Sequence, residues 1–368
     1  MNRSAIRICA STPCAEQIAR QWLTRYQGQK PHFACILSFT ETCLRPQISA
    51  AGITPNARCT TALADGTYLY SGPNHRHPLP SLPAGISPAV LTRAILTYCD
   101  IPPQLMSTGL PVAIAVPHAA LPSVLAKDLS TGAAMAYQQA QSLFNSGYQH
   151  GQQLAQRSSN SYWILGESVV GGTTTAQAIL TALGYSVVGQ VGSSHQQSNH
   201  LQKQTLVQIG LQRWRSRQCG CNTPMAIAAA LGDPMQLAVA GMALAISQSA
   251  GVLLAGGAQM LAVYALTRAI AQTQDLPWRP AQIVVGTTRW VIEDSSADTV
   301  AIARAVEAPY LSSPLSFSRS PYPQLRAYER GFVKEGTGLG GCAIAARLYK
   351  NATSDQLRHA IESELRQQ

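Results

Sequence analysis

Short apolar runs alternate along this 368-residue chain with longer stretches in which apolar residues recur at helical spacing. The short runs predict strands at 33–37, 113–116, 162–165, 187–191, 252–255 and 283–285. The longer stretches predict helices at 13–26, 88–99, 133–156, 173–183, 202–214, 235–249, 259–274, 297–305 and 354–368. Because strands that alternate with helices form βαβ units, we expect an α/β fold with a doubly wound, mostly parallel sheet and helices on both faces, in a Rossmann-like three-layer arrangement.

Two segments depart from this alternation. Residues 40–88 are rich in Pro, Gly, Thr and His and show little periodicity, which predicts a loop-rich insertion or an edge of the active site. Residues 234–267 carry no charge, but polar residues and a glycine pair interrupt them, so we expect helix, buried strand, glycine turn and helix rather than a membrane span. We expect one domain over 1–368, with a core at about 85–310 and a smaller region formed by 1–84 and 311–368.

The charge and cysteine content narrow the class of protein. Lys and Arg outnumber Asp and Glu by 27 to 17, which favours anionic partners or serves general solubility. The basic residues are scattered, so we expect small-molecule substrates rather than nucleic acid. Nine cysteines include no C-x-x-C pair, and the C-G-C at 219–221 has no partner pair, which argues against a zinc site or a secreted disulfide framework. With no signal peptide at the N-terminus, we expect a cytoplasmic protein with reduced thiols.

A first candidate site is GESVVGGTTTA, residues 166–176. A strand before it, a glycine loop over 166–172 and a helix capped by Thr173 predict free backbone N–H groups that face one spot, as in phosphate sites. The spacing fits neither a P-loop nor a dinucleotide fingerprint, and an ordinary glycine turn is the alternative. Glu167 stands out, because a carboxylate repels phosphate unless it binds another part of the ligand.

A second candidate site is VKEGTGLGGCAIAARL, residues 333–348, where Glu335 precedes a glycine cluster and an apolar helix. Glu335 is a candidate general base if burial raises its pKa; the alternative is an exposed acid. The charge of the neighbouring Lys334 predicts a lowered pKa for Glu335. Lys203 lies on a predicted helix and becomes a phosphate ligand only if it reaches the first loop; otherwise it is a solvated surface residue.

Together these elements resemble the nicotinate-nucleotide:dimethylbenzimidazole phosphoribosyltransferases. The pattern G-E-x-x-x-G-x-T-T-x-A at 166–176 is similar to that family's phosphate loop, and E-G-T-G at 335–338 to its general-base element. The chain resembles most closely a poorly characterised microbial branch of the family. That resemblance rests on G-D-P-M-Q at 232–236, L-A-G-G-A-Q-M-L-A-V at 254–263, T-T-R-W at 287–290 and V-K-E-G-T-G-L-G-G at 333–341.

The resemblance implies a reaction: phosphoribose moves from nicotinate mononucleotide to a ring nitrogen of a benzimidazole or purine. The products are nicotinate and an α-riboside 5′-phosphate for the cobamide lower ligand. It implies no metal or cofactor, and a homodimer. Glu335 becomes the general base, and Glu167 lies near the ribose. The remaining implied substrate-binding residues are Gly171, Gly172, Thr173, Thr174, Lys203, Gly336 and Gly338.

Two other functions stay open from the sequence. One is a nucleotide-binding protein without catalysis on the same scaffold, which has no need of Glu335. The other is a transferase that uses a different phosphoribosyl or nucleotide donor, which differs in the leaving group. Asp233 is interpreted as a helix N-cap rather than a catalytic acid, and Trp290 as core packing at a strand end.

Overall fold

The computed structural model describes residues 5–9, 12–74, 77–157, 160–217 and 222–368. One eight-stranded sheet has the order β1-β8-β7-β6-β5-β2-β3-β4. Neighbouring strands pair in parallel except β1 and β8, which pair antiparallel. The strands are β1 (Arg7–Ile8), β2 (His32–Ser38), β3 (Pro103–Thr108), β4 (Ala119–Ala120), β5 (Tyr162–Ser168), β6 (Gly251–Ala255), β7 (Ile283–Thr287) and β8 (Tyr310–Ser312). The predicted doubly wound, mostly parallel sheet is confirmed.

Helices cover both faces of this sheet. They are α1 (Pro13–Tyr26), α2 (Pro55–Ser71), α3 (Pro88–Cys99), α4 (Tyr137–Gln156), α5 (Gly172–Ala182), α6 (His200–Arg217), α7 (Pro224–Leu231), α8 (Pro234–Ile246), α9 (Ala258–Thr273), α10 (Arg289–Ile292), α11 (Thr299–Ala305), α12 (Pro323–Glu329), α13 (Leu339–Lys350) and α14 (Ser354–Leu365). The division into a core and a smaller region stays a prediction, and in the sheet β2 of the N-terminal segment lies between β5 and β3.

Two hydrophobic cores lie on opposite sides of the sheet. In β2, Ala34 and Ile36 belong to one core, while Phe33, Cys35 and Leu37 belong to the other, as expected when successive side chains point to opposite faces. Helices α4 to α9 supply the first core, and α1 to α3, α13 and α14 supply the second. Both faces are therefore dry, which explains the continuous apolar runs of the central strands.

Two predicted strands are wrong. Residues 113–116 form no strand; they lie between Pro111 and Pro117, which lack the N–H group that a sheet ladder needs. Residues 187–191 form a turn, with Gly189 at φ 75°. The sequence did not predict four strands: the short β1, β4 and β8, and β3. Strand β3 has the mixed sequence PQLMST and pairs with β2 near the edge of the sheet.

The segment 40–88 is not loop-rich throughout, because it contains the 17-residue helix α2. Thr54 caps this helix by accepting a hydrogen bond from the Ala57 N–H, and Pro55 occupies its first turn, a typical N-terminal signal. The helix shows little amphipathic pattern because it is buried over most of its circumference. Periodicity could not reveal it for that reason.

The uncharged segment has the predicted order: α8, then β6, then the Gly256-Gly257 turn, then α9. Of the helices in the described ranges, none combines the length and apolar character that crossing a membrane requires. The cysteines of the C-G-C sequence, Cys219 and Cys221, lie outside the described residues.

Candidate active site

A cavity lies where the strand order reverses, at the carboxyl ends of β2 and β5. From β5 the chain builds the sheet outwards through β6, β7 and β8, whereas β3 and β4 extend it on the other side of β2. Doubly wound sheets bind ligands at this switch point. The cavity has a volume of about 150 Å³ and is lined mainly by residues 48–51, 167–173, 192–194, 257–259 and 333–337.

Glu167 belongs to strand β5, so its predicted position in the glycine loop 166–172 is wrong. Its carboxyl group is buried at the cavity wall. The Gln259 side chain donates from Nε2 to Oε1 at 3.0 Å, while Oε2 is buried and has no hydrogen-bond partner in the described structure. Burial, and then the charges of Asp233 and Glu335, raise the pKa of Glu167 to about 8. The group therefore holds a proton at neutral pH.

The glycine loop ends in the N-terminus of α5. Gly171, at φ 86°, is the N-cap, so the helix starts one residue earlier than predicted and Thr173 is not the cap. No side chain hydrogen-bonds at this cap. The Gly172 N–H donates to the Val169 carbonyl at 3.3 Å and the Thr174 N–H to the Gly171 carbonyl at 2.9 Å, so the loop itself satisfies part of the first turn. Gly171, Gly172 and Thr173 line the cavity. Thr174 is fully buried and is not part of its lining.

Glu335 lines the same cavity and is surrounded by hydrogen-bond donors. Its Oε2 accepts from the Thr287 hydroxyl at 3.0 Å and the Thr288 N–H at 2.9 Å. Its Oε1 accepts from the N–H groups of Gly336 and Gly340, each at 3.1 Å. Since a carboxylate offers about four acceptor positions, these donors fill them all.

The pKa of Glu335 is raised, mainly by burial, and the four donors oppose that rise. The predicted lowering by Lys334 is wrong. The Lys334 ammonium points away to Asp294, whose Oδ2 lies 2.5 Å from Nζ, and both side chains are almost fully buried. This ion pair compensates the lysine charge, so desolvation decides the pKa of Glu335.

Lys203 does not line the cavity. Its buried Nζ donates to the carbonyls of Val191 and Gly192 at 2.5 and 2.6 Å. Burial, and then repulsion by Lys334, lower the pKa of Lys203 to about 7. The lysine thus supports the segment 192–194 from behind, and that segment lines the cavity. Its contact with phosphate remains a prediction.

The two glycine-rich segments meet in space. The Thr337 N–H donates to the Glu167 carbonyl at 3.0 Å. Gly338, at φ 78°, lies against Gly166 so closely that a Cβ on Gly338 would be 3.2 Å from the Gly166 Cα. Gly338 is therefore a packing residue behind the wall, whereas Gly336 lines the cavity itself. The structure brings Glu167, Glu335 and the start of α5 around one space.

Several cavity residues have no signal in the sequence. Asp65 of α2 accepts hydrogen bonds from the Ser87 and Ser168 hydroxyls at 2.7 and 2.8 Å, and burial raises its pKa to about 6. Since α2 itself was not predicted, nothing pointed to Asp65. Residues 48–51 and Asp65 of the segment 40–88 line the cavity, and the role of this segment as an edge of the active site stays a prediction. Gln259 lies in the 254–263 motif, which was the available signal for it.

The structure agrees with the structural interpretations of Asp233 and Trp290. Asp233 is the N-cap of α8, with its carboxylate accepting from the Gln236 N–H at 3.2 Å and from the Thr175 hydroxyl at 2.6 Å. Trp290 is buried and stacks on Phe317. Among the residues that the structure describes, no three His, Cys, Asp or Glu side chains are grouped to hold a metal ion.

Comparison with known proteins places the chain in a family. A UPF0284 protein of Acaryochloris marina is 50% identical over 348 residues, which span 94% of each chain. The chain belongs to the UPF0284 family. A second UPF0284 protein, from a Cyanothece strain, is 51% identical over 348 residues, again with 94% of each chain covered. A family model described as "Phosphoribosyltransferase" matches residues 114–278 of this UPF0284 chain.

Solved structures share the fold of this UPF0284 protein. A nicotinate-nucleotide-dimethylbenzimidazole phosphoribosyltransferase of Thermus thermophilus superposes with a TM-score of 0.59 at 15% identity and 94% coverage of both chains. A structure of CobT from the same organism gives a TM-score of 0.59 at 17% identity, also with 94% of both chains covered. These matches confirm the predicted resemblance to these phosphoribosyltransferases in fold, and the family model supports it over residues 114–278.

Proposed function

We propose that this protein transfers the phosphoribosyl group of nicotinate mononucleotide to a ring nitrogen of a benzimidazole or purine base. The products are nicotinate and an α-riboside 5′-phosphate, the nucleotide of a cobamide lower ligand. The observation that carries the proposal is the meeting, in one cavity, of a helix N-terminus without a side-chain cap, the buried carboxyl group of Glu167 and the half-buried one of Glu335.

The N-terminus of α5 is the proposed phosphate site. Backbone N–H groups at a helix start, together with the helix dipole, favour a dianionic group. Gly171 and Gly172 leave room for close approach, and Thr173 adds a hydroxyl at the cavity wall. The segment 192–194, held from behind by Lys203, faces the same space from the other side.

The chemistry needs one proton acceptor and stabilisation of positive charge. The acceptor nitrogen attacks C1′ of the ribose, and the bond from C1′ to the pyridinium nitrogen breaks. Its electron pair stays on the departing nicotinate. The acceptor ring, now positively charged, loses its N–H proton to a carboxylate. A carboxylate also favours the oxocarbenium-like transition state where water is excluded, because its charge opposes the positive charge that develops on the ribose.

Two carboxyl groups are available for these roles. The resemblance gives the general base to Glu335, whose four donors position it firmly against β7 and α13. Glu167 then lies beside the ribose, where its protonated carboxyl group, with Oε2 unpartnered, is placed to hydrogen-bond a ribose hydroxyl. Because Glu335 has no unoccupied acceptor position, proton uptake requires one of its four donors to leave. Glu167 has an unoccupied oxygen but accepts a proton only above about pH 8, where it is ionised.

The dimensions of the cavity fit part of the substrate pair. A cavity of about 150 Å³ accommodates one benzene-sized ring. The aromatic base is therefore proposed to fill the enclosed part, with the nucleotide extending along the α5 N-terminus toward the mouth. The same family resemblance leads us to propose that the protein is cytoplasmic and forms a homodimer. Light scattering of the purified protein tests the homodimer directly.

The deciding experiment uses the purified protein, nicotinate mononucleotide and a panel of bases that includes dimethylbenzimidazole and adenine. Nicotinate release and riboside phosphate are followed by chromatography. Glu335→Gln is assayed in parallel, with Glu16→Gln as control, since Glu16 makes only a surface ion pair with Arg20 on α1. We expect product from the native protein and from the control, and a loss of about 10²–10⁴-fold in Glu335→Gln.

Other outcomes identify the alternatives. Nucleotide binding without product from any base would replace the transferase by a nucleotide-binding protein on the same scaffold. Turnover of a different phosphoribosyl donor, with no release of nicotinate, would keep the transferase and change its donor.

A further inference from the structure

Two thiols meet behind the wall of the cavity. Cys43 lies in a 3₁₀ turn, Glu41–Leu44, and Cys59 lies in α2. Cys43 is buried in a small apolar cluster with Val170, and the half-buried Cys59 packs against the same cluster. Arg58, the neighbour of Cys59 in the chain, donates from Nε to the Cys43 carbonyl at 2.5 Å. The turn and the helix are therefore fixed to each other at the position of the two sulfurs.

The two thiols differ in access. Burial, and then the adjacent Cys59 thiol, raise the pKa of Cys43 to about 12. Cys59 is partly exposed and packs against the cluster that contains Cys43. Because the thiolate is the nucleophile in disulfide exchange and access limits its rate, reaction with a reagent from solution begins at Cys59.

Only a few side chains separate the two thiols from the proposed phosphate loop. Val170 and Ala51 pack in the cluster that contains the thiols, and both also line the cavity. The backbone of Cys43 touches the N-cap of α5, since a Cβ added to Gly171 would lie 3.1 Å from the Cys43 nitrogen. A displacement of Cys43 is thus transmitted to the start of α5 by direct contact.

We propose that Cys43 and Cys59 are a disulfide-forming pair that reshapes the cavity wall when a small-molecule disulfide oxidises it. The Cys59 thiolate attacks one sulfur of the reagent, and one reagent thiol leaves. The Cys43 thiolate then attacks the Cys59 sulfur of the mixed disulfide, and the second reagent thiol leaves. Two protein thiols lose two electrons and two protons, and the reagent disulfide becomes two thiols. An S–S bond of about 2.05 Å is far shorter than a thiol contact, so its formation pulls the turn toward α2.

The first test maps the bond. The native protein is incubated with oxidised glutathione, alkylated under denaturing conditions and digested for peptide mass spectrometry. We expect a peptide linked through Cys43 and Cys59, abolished in Cys59→Ser and retained in Cys14→Ser, the control at an exposed cysteine of α1. Two results would overturn the proposed disulfide. In one, Cys59 stays glutathionylated while Cys43 is alkylated; in the other, Cys59 does not react at all.

The second test measures the effect of the disulfide on the cavity by two readouts, nucleotide binding and hydrogen exchange. Only the first of these rests on the proposed function. Oxidation should weaken binding of nicotinate mononucleotide by about tenfold or more, because small displacements at a site are costly. Dithiothreitol should restore binding, and Cys59→Ser should not respond. If neither form binds the nucleotide, hydrogen exchange at the amides of residues 169–173 reports instead. If the disulfide forms but hydrogen exchange at residues 169–173 does not change, the disulfide does not affect the cavity wall and that part of the proposal is wrong.

Discussion

The two glycine-rich segments of the cavity, 166–172 and 333–341, look alike in sequence but hold their acids differently. Glu167 lies in a strand, where Gln259 donates to one oxygen and the other oxygen is buried without a partner. Glu335 lies in a loop, where four donors surround the carboxylate. The sequence pattern of an acid before a run of glycines thus indicates a site, but it does not show which carboxyl oxygen is free of hydrogen bonds.

The difference has a physical consequence for protonation. Donors stabilise the charged form of a carboxyl group, whereas burial and nearby negative charge stabilise the neutral form. Glu335 has the donors, which oppose the effect of burial on its pKa. Glu167 has the burial and the neighbouring acids, which raise its pKa to about 8. Two similar motifs therefore place two differently tuned acids in one cavity, a common arrangement for acid–base chemistry.

The largest expected effect comes from replacing each acid. Glu335→Gln and Glu167→Gln should each lower kcat/KM by about 10²–10⁴-fold, and the pH profile should separate them. In the native protein kcat/KM should rise with pH as the general base ionises, which gives the ascending limb of the pH profile. We expect this limb to vanish in Glu335→Gln and to persist, at lower kcat/KM, in Glu167→Gln. The measurement is riboside phosphate formation from pH 5 to pH 9.5. Loss of the limb in Glu167→Gln instead would assign the base to the free oxygen of Glu167.

The second comparison uses one glycine from each segment. In Gly340→Ala the new Cβ would lie 2.1 Å from the Thr287 backbone carbon, so α13 must move away from β7. We expect a loss of about 1–3 kcal/mol in the free energy of unfolding, measured with urea. In Gly172→Ala the Cβ would meet the Gln259 side chain at 1.8 Å, which can rotate away.

Gly172→Ala should therefore cost less stability than Gly340→Ala but displace Gln259 from Glu167 and lower activity. Equal losses of stability in the two variants would show that the wall around Gln259 is as rigid as the contact between β7 and α13.

A smaller effect concerns stability and pH. The folded protein keeps the Glu167 proton up to about pH 8, whereas an ordinary glutamate loses it near 4.5. The folded state then binds more protons than the unfolded state between these values, so stability falls as pH rises through that window. Glu167→Gln removes this decline and should gain at least ~1 kcal/mol at pH 8, since one pKa unit corresponds to ~1.4 kcal/mol.

The check is urea unfolding of both proteins at pH 5 and pH 8, with Glu16→Gln as the surface control. A Glu167→Gln variant that is no more stable than the native protein at pH 8 would show that Glu167 is already ionised there.

The smallest effect tests how the donors tune Glu335. Thr287→Val removes the hydroxyl that donates to Oε2 and should raise the pKa of Glu335 further. We expect the ascending limb of kcat/KM to move up by about half to one pH unit, in line with one hydrogen bond. Thr288→Val is the matched control, because its hydroxyl donates to the Lys334 carbonyl while its N–H still serves Glu335. Equal shifts in both variants would contradict the assignment.

Elements with local signals were predicted well. The helices at 13–26 and 88–99 have the predicted bounds, because Thr12-Pro13 and Ser87-Pro88 provide a cap and a first-turn proline within a few residues. Helix α2 was missed, since burial on most sides removes the polar face that periodicity detects. The false strand at 187–191 shows the reverse error, in which an apolar run folds as a turn at a glycine.

By itself, the sequence determined the α/β class, the limits of helices with a cap and a first-turn proline, and the two acids that stand before glycines, because these depend on neighbours within a few residues. Only the tertiary structure decided which groups share the cavity. Asp65 meets Ser168 across 103 residues, and Glu335 meets Thr287 across 48. It also decided protonation, turning Lys334 toward Asp294 and leaving one oxygen of Glu167 bare. A pKa depends on burial and on donors from distant parts of the chain, and no local pattern contains them.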